Sequence, residues 1–164
     1  MLMTKCIPIL YIVIPCYNEE EVLPMTSGIF KDKLEYLICK NKISPDSKIL
    51  FVDDGSKDST WDIILKLSLE NKCFIGIQQS RNRGHQNAVL AGLMEAKAKC
   101  DITISIDCDG QDDINAMDQM VEEYLKGKNG VRQIDMDVNG TTTAEYIAEE
   151  AVAGSDVVLT IDAN

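Results

Sequence analysis

The chain has 164 residues, with 16 basic and 27 acidic side chains, a net charge of -11 and 45% hydrophobic residues. That length suits one globular domain with a real core. A chain this acidic repels nucleic acid and anionic membrane surfaces, so a phosphate-bearing ligand needs a local remedy, either a metal ion or backbone N–H groups.

Six cysteines (Cys6, Cys16, Cys39, Cys73, Cys100 and Cys108) include no C-x-x-C pair, which argues against a zinc or thioredoxin-like site. The expected state is reduced, mostly buried thiols in a cytoplasmic protein. Lys5 followed by the apolar run Ile7 to Ile14 has the outline of a leader, but it lacks a small-residue cleavage site, and a buried first strand accounts for it better. No apolar run approaches the roughly 20 residues of a membrane helix.

In chain order, Ile9 to Ile14 predicts the first strand and Glu20 to Cys39 the first helix, with a loop over Asn41 to Asp46. Lys48 to Val52 predicts the second strand. Ser59 to Glu70 predicts a helix capped by Ser59 or Asp58, with an apolar stripe of Trp61, Ile64, Leu65 and Leu69. Phe74 to Ile77 is the third strand. His85 to Lys97 is a helix whose apolar residues are Val89, Leu90, Leu93 and Met94. Ile102 to Ile106 is the fourth strand, and Asp113 to Leu125 the fourth helix. Continuous apolar strands alternating with helices imply right-handed crossovers and an α/β fold, three layers around a mainly parallel sheet.

After Gly127 the texture changes. Val131 to Val138 alternates, Asn139-Gly140 is a favoured two-residue turn, and Thr141 to Ala148 can return as a second strand. Val157 to Ile161 is a further strand candidate. The expectation is a C-terminal β-hairpin covering the open edge of the sheet, with homodimer pairing through the tail or that edge as the alternative outcome.

Ligands of open α/β sheets bind beyond the carboxyl ends of the strands. The polar clusters fall there: Pro15-Cys16-Tyr17-Asn18-Glu19-Glu20, Asp53-Asp54-Gly55-Ser56, Arg81-Asn82-Arg83-Gly84-His85 and Asp107-Cys108-Asp109-Gly110-Gln111. Any one of these loops reads equally as ordinary turn chemistry, whereas four on one sheet edge make a site. Asp107 and Asp109 leave a strand at alternate positions and can converge on one Mg²⁺ or Mn²⁺, with Gln111 adding a carbonyl oxygen. Asp135 and Asp137 share that spacing and read instead as a solvated strand face. His85 reads as the start of a helix rather than a ligand contact, and Arg81 and Arg83 as loop arginines with phosphate contact left open.

Ile-Val-Ile-Pro-Cys-Tyr-Asn-Glu-Glu (12–20), Phe-Val-Asp-Asp-Gly-Ser-Lys-Asp-Ser-Thr (51–60), Arg-Asn-Arg-Gly-His-Gln-Asn-Ala (81–88) and Ser-Ile-Asp-Cys-Asp-Gly-Gln-Asp-Asp (105–113) resemble the successive donor-site motifs of family 2 glycosyltransferases. The branch they resemble most is the polyprenyl-phosphate hexosyltransferases. The resemblance implies a GT-A fold that binds a UDP- or GDP-hexose. It implies that Pro15, Tyr17 and Glu19 line the nucleotide pocket, and that Asp53 meets the base with Asp54 beside it. It also implies that Gly84 allows close approach of the donor, and that Asp107, Asp109 and Gln111 hold the metal and diphosphate. Inverting transfer in the family needs no covalent protein intermediate, so no catalytic residue is assigned.

The stretch from Lys126-Gly127-Lys128 onward resembles a short element of class B penicillin-binding proteins, ending in Gly-Ser-Asp-Val-Val-Leu-Thr-Ile-Asp-Ala-Asn (154–164). The sequence reading therefore divides the chain into a nucleotide-sugar-binding domain, 1–126, and a β-hairpin tail of different origin, 127–164. It expects a chimera without transfer activity, the alternative being a scaffold with no ligand function.

Overall fold

The computed structural model describes residues 7–126 in full and the backbone of residues 132–136, 142–146 and 158–163. Four parallel strands, β1 (Leu10–Cys16), β2 (Lys48–Asp53), β3 (Phe74–Gln78) and β4 (Ile102–Ser105), alternate with helices α1 (Leu23–Cys39), α2 (Thr60–Glu70), α3 (His85–Ala96) and α4 (Ala116–Leu125). The backbone then adds β5 (Arg132–Met136), β6 (Thr142–Tyr146) and β7 (Val158–Ala163). The sheet order is β3-β2-β1-β4-β7-β5-β6.

β5 and β6 pair antiparallel, as the alternating tail predicts. The strand beside β4, however, is β7, parallel to both β4 and β5, so the hairpin lies one strand further out than expected. The Asn139-Gly140 turn and the side chains of Asp135 and Asp137 lie outside the described residues. Among the described residues no helix is long and apolar enough to cross a membrane.

The pleat divides β1 cleanly. Leu10, Ile12, Ile14 and Cys16 join Ile49 and Phe51 in a deep cluster under Phe30 and Leu34 of α1, Ile64 of α2, and Met117 and Met120 of α4. Tyr11 and Val13 join Leu50 and Val52 in a thinner cluster under α3.

On that second face the apolar residues named from sequence are only partly used: Leu93 packs against the cluster. α3 buries Ala88, Gly92 and Ala96, while Leu90 and Met94 are 55% and 64% exposed. The reason is spacing. A Cβ on Gly92 would lie 2.4 Å from Val13 Cγ1 and 2.9 Å from Val52 Cγ2, so small residues at intervals of four let the helix lie directly on the strands. The helices also start later than their motifs suggest, α1 at Leu23 and α4 at Ala116, which leaves Glu19 to Val22 and Asp107 to Asn115 as loops.

The direction of the chain places the site. β1 leads out to β2 and β3 on one side and is joined on the other by β4, so the gap beyond β1 and β4 is a topological switch point. The β1–β4 pairing ends at Val13↔Ser105, with one further bond from Ile106 N–H to the Val13 carbonyl at 3.1 Å. Pro15, two residues on, has no N–H to continue that ladder. The strands part there, and the cavity lies in the opening.

Candidate functional site

A cavity of about 240 Å³ occupies this opening, lined by Pro15, Cys16, Tyr17 and Glu19 after β1, Asp54 after β2, Asn82, Gly84, His85 and Ala88 at the start of α3, and Asp107, Cys108 and Asp109 after β4. All four polar clusters contribute to it. A larger depression of about 520 Å³, lined by Ile7, Pro8, Lys42 and Glu122 among others, sits at the amino ends of the strands, where no donor-site motif falls.

Hydrogen bonds between distant segments fix the first two loops against each other. Asn18 N–H donates to Ser56 Oγ at 2.9 Å, Glu19 N–H to Thr60 Oγ1 at 2.8 Å and Glu20 N–H to Asp58 Oδ2 at 3.2 Å. In return Lys57 N–H donates to Asn18 Oδ1 and Ser59 N–H to Glu20 Oε2, each at 2.9 Å. Ser59 makes no side-chain cap on α2. Asp58 receives Thr60 N–H at 3.0 Å instead. Burial would raise the Asp58 carboxyl, but the bonds from Thr60 and the Glu20 N–H outweigh it and hold the group below the usual aspartate value.

The adjacent aspartates do different work. Asp54 is 3% exposed and clamps the third loop, accepting Arg83 N–H at 2.7 Å and Gly84 N–H at 2.9 Å. Asp53 is fully buried and does not line the cavity. Its carboxylate accepts Ser56 N–H at 3.1 Å and Gln78 Nε2–H at 2.9 Å. Beneath them, Gly55 (φ +69°) brings the second and third loops together, since a Cβ there would lie 2.5 Å from the Arg81 carbonyl carbon. Gly84 (φ +91°) has open space where a Cβ would stand. The glycine that permits close approach of protein to protein is therefore Gly55, while Gly84 leaves room at the cavity.

Four acids from three loops line the cavity; Asp54 is taken up by the third loop, and the other three are Glu19, Asp107 and Asp109. Burial raises the Glu19 carboxyl above its usual value, and the negative charges of Asp109, Asp58 and Asp107 push it further in the same direction. Their oxygens suit a hard cation, and Mg²⁺ or Mn²⁺ often takes one or two protein carboxylates and completes its shell with phosphate oxygens and water. Among the described residues no cluster of three or more ligand side chains is ready-made, so any cation here would rely on such outside oxygens. Gln111 is exposed and does not line the cavity; its N–H donates to Asp109 Oδ1 at 3.0 Å.

Four lining residues were legible in the motifs but not singled out for a role: Asn82, Ala88, Cys16 and Cys108. His85, read from sequence as a helix start, is that and also lines the cavity, its Nε2 lying 3.6 Å from Asp107 Oδ1. Arg81 and Arg83 are exposed and stand outside the lining.

The profile of Glycosyl transferase family 2 matches residues 11–152, running past position 127, and nothing found supports a penicillin-binding segment or a chimera. The chain is 49% identical over 120 residues to the uncharacterized glycosyltransferase YkoT of Bacillus subtilis (strain 168), covering 73% of this chain and 36% of that protein. It is 34% identical over 120 residues to a prophage bactoprenol glucosyl transferase homolog of Escherichia coli (strain K12), covering 73% and 37%. It thus spans little more than a third of the length of these relatives.

S. aureus TarS 1-349 in complex with UDP superposes with a TM-score of 0.58 at 17% identity, covering 87% of this chain and 40% of that one. The same protein in complex with UDP-GlcNAc gives 0.57 at 19%, covering 87% and 38%. These structures share the fold, a parallel-sheet α/β domain of GT-A type. On the family match and the close relatives, the chain belongs to glycosyl transferase family 2.

Proposed function

We propose that residues 7–126 form the donor half of a sugar transferase. They hold the diphosphate of a UDP- or GDP-hexose, together with Mg²⁺ or Mn²⁺, in the cavity between β1 and β4. The observation that carries this reading is the convergence of Glu19, Asp107 and Asp109 on a switch-point cavity in a chain of net charge -11. Acids gathered there repel a bare diphosphate but accept one that arrives with a divalent cation.

When bound, the cation supplies charge neutralisation for the departing nucleoside diphosphate. The chain's own residues do the rest. Pro15 and Tyr17 form one wall and Gly84 leaves room on another. Asp54 positions the Arg83–Gly84 backbone, and Asp53, from beneath, holds the turn that carries Ser56. Gln111 remains a candidate second contact to the metal through its side-chain carbonyl.

The relatives named as bactoprenol glucosyl transferases support a polyprenyl phosphate acceptor for the full-length family protein. The UDP and UDP-GlcNAc complexes of the similar fold support a nucleotide-sugar donor. For the 164 residues themselves the reading is donor binding without transfer. Calorimetry with UDP, GDP and their hexoses tests it, with Mn²⁺ and again in excess EDTA. The expected result is binding of one nucleotide in Mn²⁺ and none in EDTA; equal binding in both sinks the metal role, and no binding in either sinks the donor site.

A further inference from the structure

The loop that carries Asp107 and Asp109 keeps its shape through bonds between near neighbours, from Asp107 N–H to Asp112 Oδ2 at 3.2 Å through to Asn115 N–H to Asp113 Oδ1 at 2.9 Å. Such bonds fix the outline of a loop but not its place, which depends on what the loop touches. Cys108 and Ile114 pin it to the core beneath. From the side it meets α1 at two points. Gly110 (φ +75°) lies so close that a Cβ there would stand 3.2 Å from Thr26 Cγ2. Further along the helix, Lys33 Nζ donates to Asn115 Oδ1 at 3.0 Å and to Asp118 Oδ2 at 2.6 Å. Thr26 and Lys33 are about two turns apart at roughly 3.6 residues per turn, and so share one face of α1. The Lys33 side chain is only 10% exposed and lies over the Tyr36 ring, 4.9 Å from its centroid. The Lys42–Glu122 pair, which also reaches α4, is 3.5 Å apart and open to water at both ends, the kind of pair that holds little. Glu19 is fixed to the same helix: its carbonyl accepts Val22 N–H at 3.1 Å and Leu23 N–H at 2.9 Å in the turn that leads into α1.

We propose that α1 is the common mount of Glu19, Asp107 and Asp109, and that Lys33 is the positioning residue that sets the two aspartates at their working distance from Glu19. Lys33 does not line the cavity and acts through Asn115 and Asp118. Its ammonium makes a charge-assisted bond to the Asp118 carboxylate, the stronger kind, and a second bond to the residue that precedes α4. Without it, the 107–115 loop keeps its internal bonds, but its outer side is free to shift along α1 about the Cys108 and Ile114 pins. A cation that needs oxygens from both loops at once must then draw them together itself. The signature of losing Lys33 is therefore a greater requirement for metal rather than a loss of the fold. The effect on metal-dependent binding rests on the proposed function above; the tether of the loop to α1 does not.

The test uses the full chain. Lys33→Met keeps an apolar stem over Tyr36 and loses the ammonium, whereas Lys33→Arg keeps donors for both acceptors. In metal-free protein, hydrogen exchange over residues 107–115 should be faster in Lys33→Met than in wild type, with β1 and β2 unchanged, and should return to the wild-type rate in Lys33→Arg. Unchanged exchange over the loop overturns the tether. Faster exchange through β1 and β2 as well shows a merely structural lysine and overturns it too. UDP and GDP binding is then followed against Mn²⁺ concentration. The Mn²⁺ needed for half-binding should rise about tenfold in Lys33→Met, the lower end of what losing a group that orients a metal ligand costs, and saturating Mn²⁺ should restore binding. Lys33→Arg should lie near wild type. An unchanged Mn²⁺ requirement in Lys33→Met overturns the positioning of the acids, even where the loop exchanges faster. Wild-type protein that binds neither nucleotide defeats the donor reading alone, and the exchange comparison still decides the tether.

Discussion

On one side of the cavity, the loops after β1 and β2 hold each other through bonds between residues about forty positions apart, from Asn18 N–H to Ser56 Oγ through to Ser59 N–H to Glu20 Oε2. On the other side, the loop after β4 is bonded mainly within itself: Asp107 N–H to Asp112 Oδ2 at 3.2 Å, and Gln111 N–H to Asp109 Oδ1 at 3.0 Å. The first wall uses its polar groups to keep its shape. The second brings Asp107 and Asp109 to the cavity on a loop whose bonds are largely local turns. Polar residues of similar composition are thus tied across loops on one side and mostly within one loop on the other, and only the partners distinguish the two.

Substitutions break this contrast in a definite order. Asp54→Ala removes the acceptor for two backbone N–H groups of the third loop, and should cost about 3 kcal/mol in urea unfolding and weaken donor binding together with fold stability. Asp53→Ala comes next. From sequence, a strand-end residue is expected to serve a ligand with little effect on the fold. Its full burial and its bonds to Ser56 and Gln78 reverse that expectation, and the loss should be about 2 kcal/mol. If Asp53→Ala instead unfolds at the wild-type midpoint while losing nucleotide, the sequence expectation was right.

Asp109→Ala, in the second wall, should leave thermal stability within about 0.5 kcal/mol yet weaken Mn²⁺-dependent nucleotide binding at least about tenfold. A matching fall in stability would show that both walls are structural.

The smallest effect concerns pH. The Glu19 carboxyl is raised by burial and then by Asp109, Asp58 and Asp107, so the folded state binds its proton more tightly than the unfolded chain. Stability is therefore lost as pH rises from the usual 4.5 through the raised value. Asp58 has the opposite sign, its stabilisation being present above 3.8 and lost as pH falls below it. In metal-free buffer Glu19→Gln should consequently be slightly more stable than wild type at neutral pH, with the advantage vanishing at acid pH. Saturating Mn²⁺ should reverse the order, since the cation favours the ionised carboxylate that the variant lacks. Unfolding midpoints across pH, with and without Mn²⁺, read this directly.

Much of the molecule was determined by local sequence. Continuous apolar runs such as Ile9 to Ile14 and Ile102 to Ile106 dictate strands buried on both faces, the alternation of strands and helices dictates a parallel sheet, and polar clusters after each strand mark the edge where ligands bind. Those signals are legible because each depends on residues a few positions apart. What only the tertiary structure decided depends on contacts across the sheet. It set α3 on the strands chiefly through Ala88, Gly92 and Ala96, with Leu93 beside them, because Val13 and Val52 leave no room for a larger residue at Gly92. It buried Asp53 and turned Asp54 into a clamp, because which backbone donors each of two adjacent carboxylates meets depends on the pleat and on a loop thirty residues away. It put β7 beside β4, a pairing that no spacing in sequence announces.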